Sequence, residues 1–405
     1  MDRAQSFRRR VLEACGELTT GVVHEDVDAV VALGHRVQEP GDLVGLSDVA
    51  GMREARIAEL RRDRLERFGP PPADRHRATR GDDRSRGRRA DPRPATADDR
   101  DRRAERVGRE RPPEPLYHGA SMPDGQVIGA DGVRLSTRTF PGPAGAPTLV
   151  LHHGLASSQH IWDLMLSSLA RRHTVVTFDA RGHGESTKSS AGYGFEHTVA
   201  DALAVLRSTG AKRPILVGHS WGAMVALELG ARHPDAVGGI VLVDGGVSTM
   251  RDGFATWTEA RTALAPPHLA GTPVETFRAM IPTFFGDALV VTPQVVDIVL
   301  SVMRVGADGT IRPRLRRANH MRILHAIWQQ DPMALHRKLT VPALAILAGG
   351  GEPVWDERRR AAAEALRATG SPTRIVWQEG IHDLPLQHPD ALARRIGAFV
   401  KTAVR

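Results

Sequence analysis

Ser220 stands between Gly218 and Gly222 in the run ILVGHSWGAM, and His382 follows far downstream in WQEGIHDLPLQHPD. A serine hydroxyl becomes a useful nucleophile when a neighbouring base takes its proton, and an imidazole base works when an acid fixes its tautomer. These residue types spell out acyl transfer, with Ser220 attacking, His382 carrying the proton, and Glu352, Asp244 or Asp356 as the orienting acid. The plainer reading of Ser220 is a small residue in a tight turn. In a chain of 405 residues with 40 glycines, a Gly-x-Ser-x-Gly match arises by chance about 0.2 times, so the pattern alone is weak.

Its surroundings raise it. The motif follows the apolar run PILVG and opens the helix-forming run WGAMVALELGARH. So tight a strand-to-helix turn strains its central residue, and glycines on either side remove side chains that would collide across it. The hydroxyl is then lifted over the sheet edge, with a helix amino terminus behind it that favours developing negative charge.

The elements needed to position these groups are legible around it. GVRLSTRTF alternates like a strand, and TLVLHHG, TVVTFDARGHG, PILVGHS, GIVLVDGG, PALAILAGGG and TRIVWQEGIH are short apolar runs. Helical stretches are expected at 195–208, 221–232, 356–368 and 389–403. Apolar strands alternating with helices predict an α/β fold, a mostly parallel sheet covered on both faces, with loops at the strands' carboxyl ends forming the site.

Composition bounds the rest. There are 55 Lys and Arg against 47 Asp and Glu, a formal charge of +8, and only Lys188, Lys212, Lys338 and Lys401 are lysines. Arginine excess beside Ala, Gly and Pro points to coding bias, and so small a charge over this length argues against a nucleic-acid partner. The single cysteine, Cys15, excludes an intramolecular disulfide. Charges near it break any signal peptide, and no run approaches the 18 or so apolar residues of a membrane span, so a cytoplasmic protein is expected. Residues 69–115 carry Val107 alone among Val, Ile, Leu, Met and the aromatics and are expected to be a disordered Arg/Asp/Pro-rich linker. Residues 1–68 hold helix-compatible pieces of unknown role. A start of the functional chain near Met122 is a further expectation, to be settled by mapping native peptides.

With HHG after an early strand, DARGHGES after the next, GHSWG at the elbow and IHD late, residues 116–405 resemble a serine-type α/β-hydrolase. The resemblance implies that fold, with a helical cap at about 247–338. It implies an oxyanion hole from the amides of Leu155 and Trp221, and a triad in the order Ser, acid, His. It favours Glu352, in GGGEPVW, as the acid, although aspartate is commoner there. Asp244, ending VLVDGG, is the second place from which relatives supply it, and Asp356 reads better as a helix N-cap. Arg181 and Glu185 are expected in supporting hydrogen bonds.

The implied activity is cofactor-independent hydrolysis of an ester-like bond through an acyl-enzyme. Lactonase, C–C hydrolase, perhydrolase, thioesterase and acyltransferase reactions run on the same groups, and a non-catalytic binding protein is the rival from another class. An aspartate at 220 would have pointed to dehalogenase or epoxide-hydrolase chemistry. His152 and His153 lack a partner cluster at ligand spacing, so no metal is expected. Substrate-pocket candidates are His153 and the cap aromatics Trp257, Phe284 and Trp328, favouring an apolar small-molecule substrate. The arginines of RPRLRRANHMR are expected to form a solvated face, with a carboxylate-bearing substrate as the minority reading.

Overall fold

The computed structural model describes residues 125–350 and 353–403. The expected helical region 1–68, the linker 69–115, Met122 and Glu352 lie outside them. Strands β1 (Gly125–Ile128), β2 (Arg134–Phe140), β3 (Thr148–His152), β4 (Thr174–Phe178), β5 (Ile215–His219), β6 (Gly239–Val243), β9 (Ala343–Gly349) and β10 (Thr373–Glu379) form one sheet. Its order is β1-β2-β4-β3-β5-β6-β9-β10. The last six are parallel, while β1 and β2 run antiparallel to their neighbours.

Burial explains the runs. Every residue of β5, β6 and β9 is buried, because helices cover both faces, so these strands read as continuous apolar segments. One face packs against α2 (Phe195–Ser208), α3 (Trp221–Arg232) and α9 (Pro353–Arg367), through residues such as Val199, Val225 and Leu366. The other packs against α1 (Asp163–Ala170) and α11 (Pro389–Ala403), through Met165, Leu169, Ile396 and Phe399.

The chain leaves β3 for β4 on one side, then crosses back to place β5 on β3's other side. That reversal opens a crevice at the carboxyl ends of β3 and β5. The residues that follow those two strands are the His153–Gly154 turn and Ser220.

Between β6 and β9, which are neighbours in the sheet, the chain inserts α4 (Trp257–Leu264), α5 (Val274–Phe285), α6 (Pro293–Leu300), α7 (Arg317–Gln329), α8 (Pro332–His336) and the hairpin β7 (Met303–Val305) with β8 (Ile311–Pro313). Local caps set several boundaries. The Thr256 side chain accepts from Glu259 N–H at the start of α4, and the Thr292 side chain accepts from Val295 N–H ahead of Pro293. The insertion has its own small core of Phe277, Ile281, Met303 and Ile311. Among the described residues no single helix is long and apolar enough to cross a membrane. Val274–Ala288 and Pro293–Leu300 reach that composition only together, across a 115° bend.

The structure adds elements the pattern did not announce, namely β1, α1, α8, the short α10 (Leu384–Gln387) and the β7–β8 hairpin. It also moves one start. α9 begins at Pro353, so Asp356 lies in its first turn rather than at its N-cap.

Candidate active site

Ser220 has φ 54° and ψ −117°, a region that side-chain-bearing residues avoid at a cost on the order of 1–3 kcal/mol. The turn around it is held on both sides. Ser220 N–H donates to Val243 O of β6 at 2.9 Å, and Ala223 N–H donates back to Ser220 O at 3.0 Å. Both motif glycines are sterically required. A Cβ on Gly218 would stand 2.1 Å from Gly222 O, and one on Gly222 would stand 2.3 Å from His152 O.

His382 follows β10 in a loop fastened at three points. Ile381 N–H donates to Gln387 Oε1 at 2.7 Å, His219 Nε2–H donates to His382 O at 2.9 Å, and His382 Nδ1–H donates to Asp244 Oδ2 at 2.6 Å. The imidazole is half exposed, while the Asp244 side chain is 2 % exposed. Asp244, with φ 43°, is pinned from the other side by Ala348 N–H on Oδ1 (3.0 Å) and by Arg359 Nη2 on Oδ2 (3.0 Å).

These contacts set the protonation states. Burial alone would raise the Asp244 carboxyl, but the His382 hydrogen bond and charge, then Arg359 and the Ala348 amide, hold it below its ordinary value. Burial would lower His382, but the hydrogen bond and charge of Asp244, with Asp383 behind, carry it above its ordinary value, against Arg359. Nδ1 is committed to Asp244, so Nε2 is the nitrogen left to face a substrate or Ser220. Ser220, Asp244 and His382 line one cavity of about 270 Å³. Among the described residues, Ser220 Oγ and His382 Nε2 make no hydrogen bond, the loose arrangement common in a ligand-free site.

Among the described residues, the carboxylate that meets His382 Nδ1 is Asp244. His382 Nδ1 has one proton to give and Asp244 receives it, whereas Glu352 lies outside the described residues. Asp356 is engaged elsewhere, accepting from Gly350 N–H at 2.7 Å and pairing with Arg359 at 3.5 Å. Arg359, which no sequence signal singled out, therefore touches both aspartates.

Leu155 and Trp221 lie after β3 and at the first position of α3. Among the described residues neither amide donates a hydrogen bond, which leaves both available to an oxyanion. The turn carrying Leu155 is held by buried imidazoles. His153 Nδ1–H donates to Gly154 O at 2.7 Å while its Nε2 accepts Ala180 N–H at 3.0 Å. His183 Nε2 accepts Ala156 N–H at 3.2 Å, and its ring stacks on Trp221 at 5.4 Å. His153 is 0 % exposed, so its expected place in the substrate pocket is corrected to a support behind the oxyanion turn.

The cap aromatics Trp257, Phe284 and Trp328 are not on the lining of the cavity that holds Ser220. Trp257 packs on His325 (4.9 Å) and Trp328 (6.2 Å), and Phe284 on Phe277 (5.8 Å). Phe254, Leu264 and Ile327 of the insertion, with Met224 and Met250, share the Ser220 cavity instead. A helical stripe shows that a face is buried but not what it meets.

Supporting contacts in DARGHGES take the expected form. Arg181, fully buried, pairs with Asp201 through Nε (2.6 Å) and Nη2 (2.8 Å), and Glu185 pairs with Arg314 at 2.7 Å. Among the described residues no three His, Cys, Asp or Glu side chains are grouped to hold a metal ion.

The buried histidines make the site acid-sensitive. Burial pushes His152 down to about 3, with the neighbouring His153 adding to it, and pushes His219 down to about 4, with His382 adding to it. His153 and His183 are lowered, first by burial. A histidine lowered by folding contributes full stability above its unfolded value of 6.5, and that contribution is lost as pH falls below it. The loss is about 1.4 kcal/mol per pH unit for each group. The urea midpoint is therefore expected to fall steadily from pH 7 to pH 5. A flat midpoint over that range would mean these rings are not held neutral.

Residues 147–292 match the family model described as the alpha/beta hydrolase fold. Over 120 residues the chain is 34% identical to epoxide hydrolase B of Mycobacterium tuberculosis, covering 29% of this chain and 34% of that protein. It thus spans about a third of that relative's length. Over 121 residues it is 37% identical to a bifunctional esterase/perhydrolase of Acinetobacter calcoaceticus, covering 29% of this chain and 44% of that one. Among solved structures, E-2-(acetamidomethylene)succinate hydrolase superposes with a TM-score of 0.56 at 21% identity, covering 70% of this chain and all of the other. The switch-point crevice, the strained elbow and these matches together show the α/β-hydrolase fold.

Proposed function

We propose that the protein is a cofactor-independent serine hydrolase that cleaves an ester-like bond through an acyl-enzyme. The observation that carries this reading is the 2.6 Å bond from His382 Nδ1 to the buried Asp244, in the cavity that also holds Ser220. Ser220 Oγ attacks the carbonyl carbon and His382 Nε2 takes its proton. Leu155 and Trp221 amides hold the oxyanion, each such donor being worth about 2.7–4 kcal/mol of transition-state stabilisation. Collapse expels the alcohol, which receives the proton from His382. Water, deprotonated by the same nitrogen, then releases the acid.

Asp244 remains ionised throughout and stabilises the imidazolium that forms. The walls contributed by Met224, Phe254, Leu264 and Ile327 fit an apolar group next to the reacting carbonyl, and the insertion serves as the cap. The esterase/perhydrolase named among the relatives supports ester chemistry. Lactones, thioesters and transfer to acceptors other than water use the same steps.

Labelling with a fluorophosphonate probe, followed by peptide mapping and a 4-nitrophenyl ester series, tests the proposal. Adduct on Ser220 together with ester turnover is the expected result. Absence of adduct on folded protein would overturn it and leave the non-catalytic reading.

A further inference from the structure

A second cavity, of about 440 Å³, begins at Ala156 and Ser157, one residue past Leu155, and extends beneath the insertion to β8 and the first turn of α7. Part of its wall is apolar, with Pro266, Leu269, Val302 and Leu315. The charged residues on its lining are Arg312, Arg314, Arg316 and Arg317, and no carboxylate lies on it. Two of the four cations are answered from outside the cavity, Arg312 by Asp308 at 3.0 Å and Arg314 by Glu185 at 2.7 Å.

The other two are not. Arg317 Nη1 donates to the Pro266 carbonyl, which orders the guanidinium without neutralising it. The Arg316 guanidinium makes no hydrogen bond or ion pair among the described residues. Local helix stability does not account for the pair. They occupy the N-cap and first position of α7, where the helix dipole disfavours cations. His320, also on the lining and one turn along α7 from Arg317, is pushed down to about 4, first by burial and then by Arg317.

We propose that this cavity receives a carboxylate carried by the substrate, with Arg316 and Arg317 as its recognition groups. The inference rests on the serine-hydrolase reading and narrows it. The reacting carbonyl sits between Ser220 and the Leu155 amide, an apolar stretch follows the Pro266, Leu269 and Val302 wall, and the carboxylate ends at the two guanidiniums. A planar guanidinium offers paired N–H donors matched to a carboxylate's two oxygens, and the ionic bonds so formed are stronger than neutral ones. Arg316 and Arg317 are both exposed, so the attraction is open to screening by salt.

The test compares matched esters on the full-length protein. One pair is 4-nitrophenyl hexanoate with mono(4-nitrophenyl) adipate, placing the charge on the acyl side. The other is phenyl acetate with 4-acetoxybenzoate, placing it on the alcohol side. In at least one pair the charged ester is expected to have about tenfold higher kcat/KM at low salt, the advantage shrinking at about 0.5 M NaCl. Arg316→Glu combined with Arg317→Glu should lower that charged-to-neutral ratio by at least about tenfold. Neutral and charged esters turned over equally, or a preference that survives the charge reversal, would overturn the carboxylate assignment and leave the serine-hydrolase reading standing. Failure of every ester to show Ser220-dependent turnover would remove both.

Discussion

Ser220→Ala is expected to lower kcat on a 4-nitrophenyl ester by about 10⁴- to 10⁶-fold, the range seen when the nucleophile of such a triad is removed. The residual rate would come from the Leu155 and Trp221 amides, which still stabilise an oxyanion formed by direct attack of water. Folding should be nearly untouched. Alanine keeps the Cβ and therefore the same strained backbone at φ 54°, while the Oγ it loses makes no hydrogen bond among the described residues. A companion variant separates strain from chemistry. Ser220→Gly loses the same hydroxyl but relieves the positive φ, so it should be as inactive as the alanine variant yet more stable by about 1 kcal/mol. Urea midpoints and kcat on the same preparations read both quantities. An alanine variant keeping a tenth or more of wild-type turnover would show that Ser220 is not the nucleophile.

The parts of the site that were legible in the sequence are those whose geometry is enforced locally. The elbow announced itself because Gly218 and Gly222 are demanded by contacts within and across one turn, with Gly222 O and His152 O at 2.1 and 2.3 Å from the missing Cβ atoms. Helices α2, α3 and α11 have the bounds expected from their apolar spacing. The orienting acid was not legible, and the reason is topological. β6 and β9 are adjacent and parallel, so the residues after each emerge side by side at one sheet edge, and spacing along the chain cannot say which carboxylate meets His382. What selects Asp244 is long-range, namely the Ala348 amide and Arg359, 104 and 115 positions away.

Two other gaps have similar causes. His219 is in the sequence only the residue before Ser220, yet its Nε2–H donates to the His382 carbonyl across 163 positions. The β7–β8 hairpin was hidden in the Arg-rich stretch, although Asp308-Gly309 is a turn signal and Gly309 adopts φ 71°. Arg312, Arg316 and Arg317 are exposed, as expected of a solvated face. The hairpin and the start of α7 bring Arg312, Arg314, Arg316 and Arg317 onto one cavity.

Asp244→Asn is expected to reduce kcat by about 10⁴-fold, whereas Glu352→Gln and Asp356→Asn should remain within a fewfold of wild type. The size follows from donors and acceptors around a single carboxylate. Oδ1 accepts from Ala348 N–H, and Oδ2 accepts from both His382 Nδ1–H and Arg359 Nη2–H. An asparagine must place its NH₂ at one of these positions. Facing Ala348 it sets donor against donor in a buried site; facing His382 it forces the imidazole to carry its proton on Nε2, the nitrogen that must accept from Ser220. The pH dependence moves with it. Asp244 raises His382 above its ordinary value, so the acidic limb of wild-type kcat/KM should lie above pH 6.5, because the base works only when neutral. Removing the carboxylate charge leaves burial, the largest influence, and Arg359 lowering the imidazole against Asp383 alone, and the limb should shift to lower pH as the rate falls. A Glu352→Gln variant that loses activity and its acidic limb, beside an Asp244→Asn variant that keeps both, would return the orienting role to Glu352.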